Sequence, residues 1–571
     1  MANLLAPSAA AVALALSTSL HGSTLHVDGQ ASPGGNGTSW ETAFRFLQDA
    51  LAAAAGDSQV EEIRVAGGTY LPDESEASPQ GTGVRSSTFW LVPGVALRGG
   101  FAGTNAPDPD LRDLDLFPTI LSGDLPGNDL PNWVNHADNA FHVVSASGVD
   151  AGSVLDGFVV RGGYASFGSD GAGAGIHLVG ASPTVRRCVI AECLASSGGG
   201  LSSDGGSPTL SQCSFVGNYA WGGRGGALYL GTPSAPAVTE CTFSGNQAFG
   251  AGGPGDGGAA FLEFDCPATF DRCAFVSNSA TTSSAIYPTG GAVTSLADEL
   301  RFDGCRFLHN TCPNGAGGAV WSGGDDVVFA SCEFSANSST VGGAAAIFLS
   351  TGVVFSNCTM FGNSAGDGGA LSLTYSTTAE IANCILWASA ANADSPYKAA
   401  IHKDDSSDAT VEWTCIQSMW VPEPGEDPLD PENFPGCTDA NPLFVDANGA
   451  DNLLGTLDDD LRLGPDSPLI DAGFNGAVPS WSDQDAGGLP RFMDDPETPD
   501  AGVGTPPIVD VGAREFGQPL PDPDLNDDGV VDGADLGLLL GEWGVGASSA
   551  DLDGDGAVDG ADLGMLLAAW S

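Results

Sequence analysis

Positive charge is what this chain lacks most. Of its 571 residues only 17 are Lys or Arg, against 72 Asp or Glu, for a formal charge of −55. Lys398 and Lys403 are its sole lysines. Such a surface repels phosphate backbones and anionic lipid, which argues against nucleic-acid or membrane-surface binding. Divalent cations are the partners it favours. No apolar run reaches the roughly 18 residues of a membrane span, so no membrane insertion is expected. The 13 cysteines form no CxxC pair and have no His cluster beside them, which weakens a metal or redox reading for them. At the N-terminus no Lys or Arg precedes Arg45, so the charged start of an export signal is missing. Residues 9–16 (AAAVALAL) and Ser17-Thr18-Ser19 still supply its apolar core and small residues, and 1–22 is expected to be a signal peptide.

Glycine, by contrast, is abundant, at 82 residues with 36 prolines, which suits a turn-rich β protein. One frame recurs through CVIAEC (188–193), CSFVGN (213–218), CTFSGN (241–246), CAFVSN (273–278), CRFLHN (305–310), CEFSAN (332–337) and CTMFGN (358–363). Cys384 opens a further copy, and LDGFVV (155–160) is an earlier one with Phe158 in the cysteine slot. A Gly-Gly-small triplet follows each frame, from Gly198-Gly199-Gly200 to Gly368-Gly369-Ala370. Short strands in a unit of about 26 residues, without helical periodicity, predict a parallel β-helix. Equal slots then stack at about 4.8 Å. Cys and the aromatic two residues later point inward, and the Asn three residues after the aromatic bonds its equivalents above and below. The triplets suit a bend that needs positive φ. A disulfide wants its Cβ atoms about 3.8 Å apart, so the stacked cysteines are expected as buried thiols. Cys415 and Cys437, outside the frame, are the expected disulfide pair.

The paired FxxN and GGA motifs resemble the repeats of polymorphic outer-membrane proteins of the right-handed β-helix class. Residues 26–51, IRVAGGTY (63–70), VALRGGFAG (95–103), TILSGD (119–124) and SVLDGFVVRGG (153–163) resemble secreted pectate-lyase-like β-helix proteins. So do NPLFVD (441–446), LRLGPDSPLIDAG (461–473) and VDVGAREF (509–516). The resemblance implies an all-β, right-handed parallel β-helix. The organisation expected is an N-terminal cap over 23–60, the coil over 61–400, and last turns with a C-terminal cap over 401–516. In the first cap, Thr38-Ser39-Trp40-Glu41 reads as a capping box. It opens a helix whose stripe is Trp40, Ala43, Phe44, Leu47, Leu51 and Ala54, ended by Gly56.

Catalytic motifs are sparse. A pectate-lyase-like mechanism needs Ca²⁺-binding carboxylates and an Arg or Lys base, yet RxPxxR is absent. The polygalacturonase motifs NTD, GHG and RIK are absent too, as is any Asp-His pair, and Asp325-Asp326 alone echoes DD. Charges inside the repeat read as stacked, outward ion pairs: Glu240 with Arg272, Arg306 with Glu333, Arg224 with Asp256. Asp471, Asp510, Arg491 and Glu515 suggest a buried network near the C-terminal end. Trp221 and Phe249, each three residues after a ladder Asn, could form a carbohydrate platform or merely pack together.

Residues 524–535 (DLNDDGVVDGAD) and 551–562 (DLDGDGAVDGAD) repeat one calcium loop, each followed by the same apolar pattern. Positions 1, 3, 5, 7, 9 and 12 supply the oxygens, with glycine at 6. The first set is Asp524, Asn526, Asp528, Val530, Asp532 and Asp535; the second is Asp551, Asp553, Asp555, Ala557, Asp559 and Asp562. Two Ca²⁺ ions are expected. A duplicated loop-helix with Asp at twelve resembles a type I dockerin. That implies a small all-α domain over 524–571 behind a linker at 517–523, and a cohesin-like or other anchoring partner. Gly533-Ala534 and Gly560-Ala561 stand where cellulosomal dockerins often carry Ser or Thr, which points toward other anchors. Three functions stay open: a secreted or cell-surface protein binding carbohydrate or other surface partners, a polysaccharide lyase or glycoside hydrolase in polysaccharide catabolism, and a surface-layer or adhesin component. The missing motifs favour binding or structure.

Overall fold

The computed structural model describes residues 22–165, 171–391, 399–421 and 429–517, with parts of 523–570 that include two helices. Its strands build four sheets of 13, 12, 7 and 11 strands that wind around one core. One turn of the coil visits them in order. Thr209–Ser211 lies in the first, Ser214–Val216 in the second, Tyr219–Arg224 in the third and Leu228–Leu230 in the fourth; Ala237–Thr239 then returns to the first. Successive turns pair parallel and in register, as Phe215 with Phe243 and Phe243 with Phe275. The chain is therefore an all-β parallel β-helix, as the repeat predicts.

In-register pairing stacks identical slots. Phe215, Phe243, Phe275, Phe307 and Phe334 follow one another at centroid distances of 5.0, 4.9, 4.8 and 4.7 Å, with nearly parallel rings. All five are buried, each contributing roughly 2–3 kcal/mol through apolar burial. The asparagines form a second ladder. Asn246 Nδ2 donates to Asn278 Oδ1 at 3.0 Å and to the Phe215 carbonyl at 2.9 Å. Asn278 and Asn310 repeat both bonds, to the Asn of the next turn and to the Phe carbonyl of the preceding one. At the following bend Gly225 has φ +62°, and a Cβ on Gly226 would meet the Gly258 carbonyl oxygen at 2.2 Å. Backbone from the next turn occupies the space of a side chain, which is why the slot is glycine.

All 13 cysteines are free thiols, including the expected pair. Cys415 aligns with Thr438, so Cys437 is one residue out of register and faces the opposite way. Cys415 Sγ bonds the Ala440 carbonyl and Cys437 Sγ that of Val411.

The front of the chain differs from the expected cap sequence. Trp40–Thr42 is a single 3₁₀ turn, and Ser39 makes no capping hydrogen bond to backbone. The helix α1 spans Leu47–Gly56. Its Leu47, Ala50, Leu51 and Ala54 join the core beside Leu25 and Val27, while Trp40 packs apart from them with Ala66 and Phe101. At the other end Ile401–Lys403, Asp408–Glu412 and Cys415–Ile416 complete the last turn. Much of the segment after Ala440 runs back along the outside of the coil. Phe474 accepts from Asn383, Ser482 donates to Asp303 at 2.8 Å, and Gln484 accepts from Arg272 at 3.2 Å, several turns apart. Two further helices, α2 (Gly533–Gly541) and α3 (Gly560–Ala568), pack on each other through a small core of Leu539, Leu552, Val558 and Leu566. Among the described residues no helix is long and apolar enough to cross a membrane.

Candidate functional site

A groove of about 510 Å³ opens where the strands Thr119–Ser122, Val159–Arg161, Val189–Ala191 and Ser214–Val216 end. Its floor is the coil and its wall is the connection 123–143, which interrupts the repeat. Asp124, Asp129, Trp133, His136, Arg161 and Glu192 line it. Asp124 builds the wall: its Oδ1 accepts the Asn128 amide at 3.0 Å and its Oδ2 that of Asp129 at 3.2 Å. Asn132, Trp133 and Asn135 all have positive φ, at 61°, 63° and 71°. For a residue as bulky as Trp this conformation is strained, and the surrounding contacts must hold it.

Asp129 sits at the centre. Its Oδ2 accepts from Asn139 Nδ2 at 2.8 Å, while its Oδ1 lies 3.3 Å from His136 Nδ1. Burial pushes the Asp129 carboxyl above its ordinary range, against the Asn139 hydrogen bond and the His136 charge that favour ionisation; Asp124 and Asp138 add to the rise. The fold thus sets Asp129 beside His136, which no adjacent residues announce; His136 Nδ1 also faces the Val134 carbonyl at 3.1 Å, and Asp129 Oδ1 keeps no hydrogen bond of its own. Arg161 and Glu192 form no ion pair or side-chain hydrogen bond among the described residues, which leaves both heads available to a ligand.

From the groove a row of aromatic rings leads along the third sheet. Trp133 lies 6.0 Å from Tyr219, Tyr219 6.2 Å from Trp221, and Trp221 5.3 Å from Phe249. Trp221 is exposed and the others are half-buried. The expected pair Trp221 and Phe249 is therefore in contact, and it is the far end of a longer path. Sequence reasoning missed Asp129, Trp133 and His136. Their signal was the strandless stretch between TILSGD and Val144, dense in Asp, Asn and aromatic residues.

Other candidates resolve into structural roles. Arg272 pairs with Glu240 at 3.6 Å, as expected. Arg306 pairs with Glu333 at 2.8 Å, but that pair is not outward: Glu333 is fully buried beneath Arg514. Burial works to raise the Glu333 carboxyl, yet Arg514 and Arg306 hold it below its ordinary range. Arg224 does not pair with Asp256. It reaches Glu263 at 2.7 Å, while Asp256 accepts from Thr289 Oγ1 at 2.8 Å. Asp325 holds the next turn through the Thr351 hydroxyl at 3.0 Å. Arg491 and Glu515 form a fully buried pair, and the Asp510 carboxylate accepts the Asp471 amide at 2.7 Å and the Phe516 amide. Burial raises Asp510 to about 7.

Of the expected calcium ligands, Asn526, Asp535 and Asp562 are among the described residues; Asp524, Asp528, Val530, Asp532, Asp551, Asp553, Asp555, Ala557 and Asp559 lie outside them. Asp535 and Asp562 are fully buried. Asp535 Oδ1 accepts the Asn526 amide at 3.2 Å and Asp562 Oδ1 that of Leu552 at 2.6 Å. Each position-twelve carboxylate thus folds back on the start of its own loop.

No protein-family model matches the sequence, and no curated protein matches it. Solved structures similar to the chain include pectate lyase Pel9A, at 14% identity over 87% of this chain and 98% of that one, TM-score 0.39. A rhamnogalacturonan lyase is similar at 11% identity over 78% and 97%, TM-score 0.35. PfbA, a surface adhesin of Streptococcus pneumoniae, is similar at 9% identity over 67% and 93%, TM-score 0.30. At these scores the likenesses carry no argument about activity, and the architecture stands on the strand pairing itself.

Proposed function

We propose that this chain is a secreted or cell-surface β-helix protein that binds carbohydrate along the groove and its aromatic row. The observation that carries this reading is the continuous path Trp133, Tyr219, Trp221 and Phe249, running out of a pocket with free Arg161 and Glu192. Aromatic faces stack on the C–H faces of sugar rings, and carboxylates and Arg bond their hydroxyls. The test is binding of the full chain to immobilised polysaccharides, neutral and acidic, against a Trp133→Ala, Trp221→Ala double variant. Binding that is equal in both, or absent from every glycan, would overturn it.

A second reading is cleavage of the bound glycan, as a polysaccharide lyase or glycoside hydrolase. The raised Asp129 beside His136 supports it, since an acid or base poised toward neutral pH is what such chemistry uses. Reducing or unsaturated ends released by the wild type and not by Asp129→Asn would establish it.

For the C-terminal pair of loops we infer two Ca²⁺ sites and a dockerin-like anchoring role. The buried Asp535 and Asp562, each turned onto its loop, fit oxygen ligation of a hard cation. Leu538, Leu540, Trp543, Leu567 and Trp570 are exposed on α2, α3 and the residues after them, an apolar area that suits an anchoring protein. Calcium titration of the full chain tests the sites: loss of two ions on replacing Asp535 and Asp562 by Ala is expected, and unchanged stoichiometry would remove the proposal.

A further inference from the structure

Asp471 is an anomaly in the segment that lies along the coil. It is fully buried, and neither of its carboxylate oxygens has a partner in good hydrogen-bond geometry, although the Asp495 backbone N–H faces them and favours the ionised form. Buried carboxylates ordinarily bond donors, because stripping their water uncompensated costs several kcal/mol. No Lys or Arg ion pair reaches Asp471 among the described residues, and the buried Arg491 is committed to Glu515. Apart from the Asp495 amide, what faces it is more negative charge, from Asp494, Asp500 and Asp495.

The backbone brings that charge there deliberately. The Asp471 carbonyl accepts the amides of Ala501 and Gly502, both at 2.9 Å, which fastens the neighbouring Asp500 beside it. Asp495 spends its carboxylate on its own turn, accepting from the Glu497 amide at 3.2 Å and the Thr498 hydroxyl at 2.6 Å. That turn presents Asp494 toward Asp471. One oxygen from each of Asp471, Asp494 and Asp500 lies within 4.8 Å of the other two. Oxygens on a common Ca²⁺ sit about 2.4 Å from it, so two of them can be no more than about 4.8 Å apart. The three oxygens meet that limit.

We propose that Asp471, Asp494 and Asp500 form a further cation site, separate from the two C-terminal loops, which takes Ca²⁺. All three donors are carboxylate oxygens, with no His or Cys, which selects a hard cation over zinc or copper. Asp494 and Asp500 are exposed, so water completes the shell from outside while Asp471 anchors the ion from within. The ion staples the acidic stretch 493–502 to the residues around Asp471.

The test is hydrogen exchange on the full chain with 1 mM CaCl₂ or with EGTA, chosen because it reports locally whatever the C-terminal loops do. In the wild type, calcium should slow exchange at 469–474 and 493–502 by about tenfold or more. An Asp494→Asn, Asp500→Asn variant, altered only at exposed positions, should lose that slowing and bind one ion fewer per chain. A chain with Asp535→Ala and Asp562→Ala should keep it. No calcium effect at these segments in the wild type, or an equal effect in the Asp494/Asp500 variant, overturns the proposal.

Discussion

Trp133 and Tyr219 hold their rings 6.0 Å apart, one from a strandless connection and the other from a repeat strand. The contact joins the part of the chain that breaks the pattern to the part that keeps it. It turns a pocket and a pair of surface aromatics into one extended site.

Replacing Trp133 by Ala should therefore weaken glycan binding even at the distant Trp221 end. A stacked ring contributes about 0.5–1.5 kcal/mol beyond its buried area, so a loss of roughly three- to tenfold in affinity is expected. Isothermal titration with the best-binding oligosaccharide measures it. Affinity unchanged by Trp133→Ala but reduced by Trp221→Ala would confine the site to the original pair.

The Asn ladder should be costly to interrupt. Asn278 Oδ1 accepts from the Asn246 amide and side chain, while its Nδ2 donates to Phe243 and Asn310. Asn278→Ala leaves those groups buried and unpaired, at about 1–3 kcal/mol for each not recovered. The urea midpoint should fall clearly, whereas a neighbouring exposed change such as Ser277→Ala should hardly move it.

The cysteines should be silent in the native protein. Burial pushes the Cys193 thiol up to about 12 and that of Cys437 up to about 11. A thiol reagent at pH 8 should label few or none within minutes, and all 13 after unfolding in guanidinium without reductant. A pair protected only until reductant is added would reinstate the Cys415–Cys437 disulfide.

Asp256 should make stability depend on pH. Burial raises its carboxyl to about 6, against bonds from Thr289 that favour ionisation. The folded state keeps a proton that the unfolded chain releases near pH 4, so this contribution to stability falls as pH rises from about 4 to 6 and is level above. Asp256→Asn should remove that fall, gaining on the order of 3 kcal/mol on the wild type between pH 4 and 7. Thermal melts across that range check it, and parallel profiles would sink the assignment.

Much of the coil was legible beforehand because stacking repeats a requirement at every turn. The inward Cys and Phe, the Asn ladder and the glycine bends each recur often enough to stand out. The Arg224 pairing departs from the pattern for the opposite reason: Glu263 lies off the repeat frame, and only the actual path of the loop brings it near. Glu333 reads as a surface residue because nothing local says that Arg514, 181 positions later, folds over it. The helix start moved from Trp40 to Leu47 because a 3₁₀ turn satisfies the first stretch without the capping bonds the motif offers.

The sequence alone determined the class of fold, since a parallel coil is set by nearest-neighbour pairing of identical units. It also set out the duplicated Asp-rich loops for which calcium binding is proposed, whose candidate ligands are close in the chain. Tertiary structure alone decided where chemistry gathers. Asp129 meets His136 and Trp133 meets Tyr219 through an irregular connection, and Asp471 meets Asp494 and Asp500 through a backbone clasp. Such meetings depend on how non-repeating segments pack against the coil, and no local period encodes them.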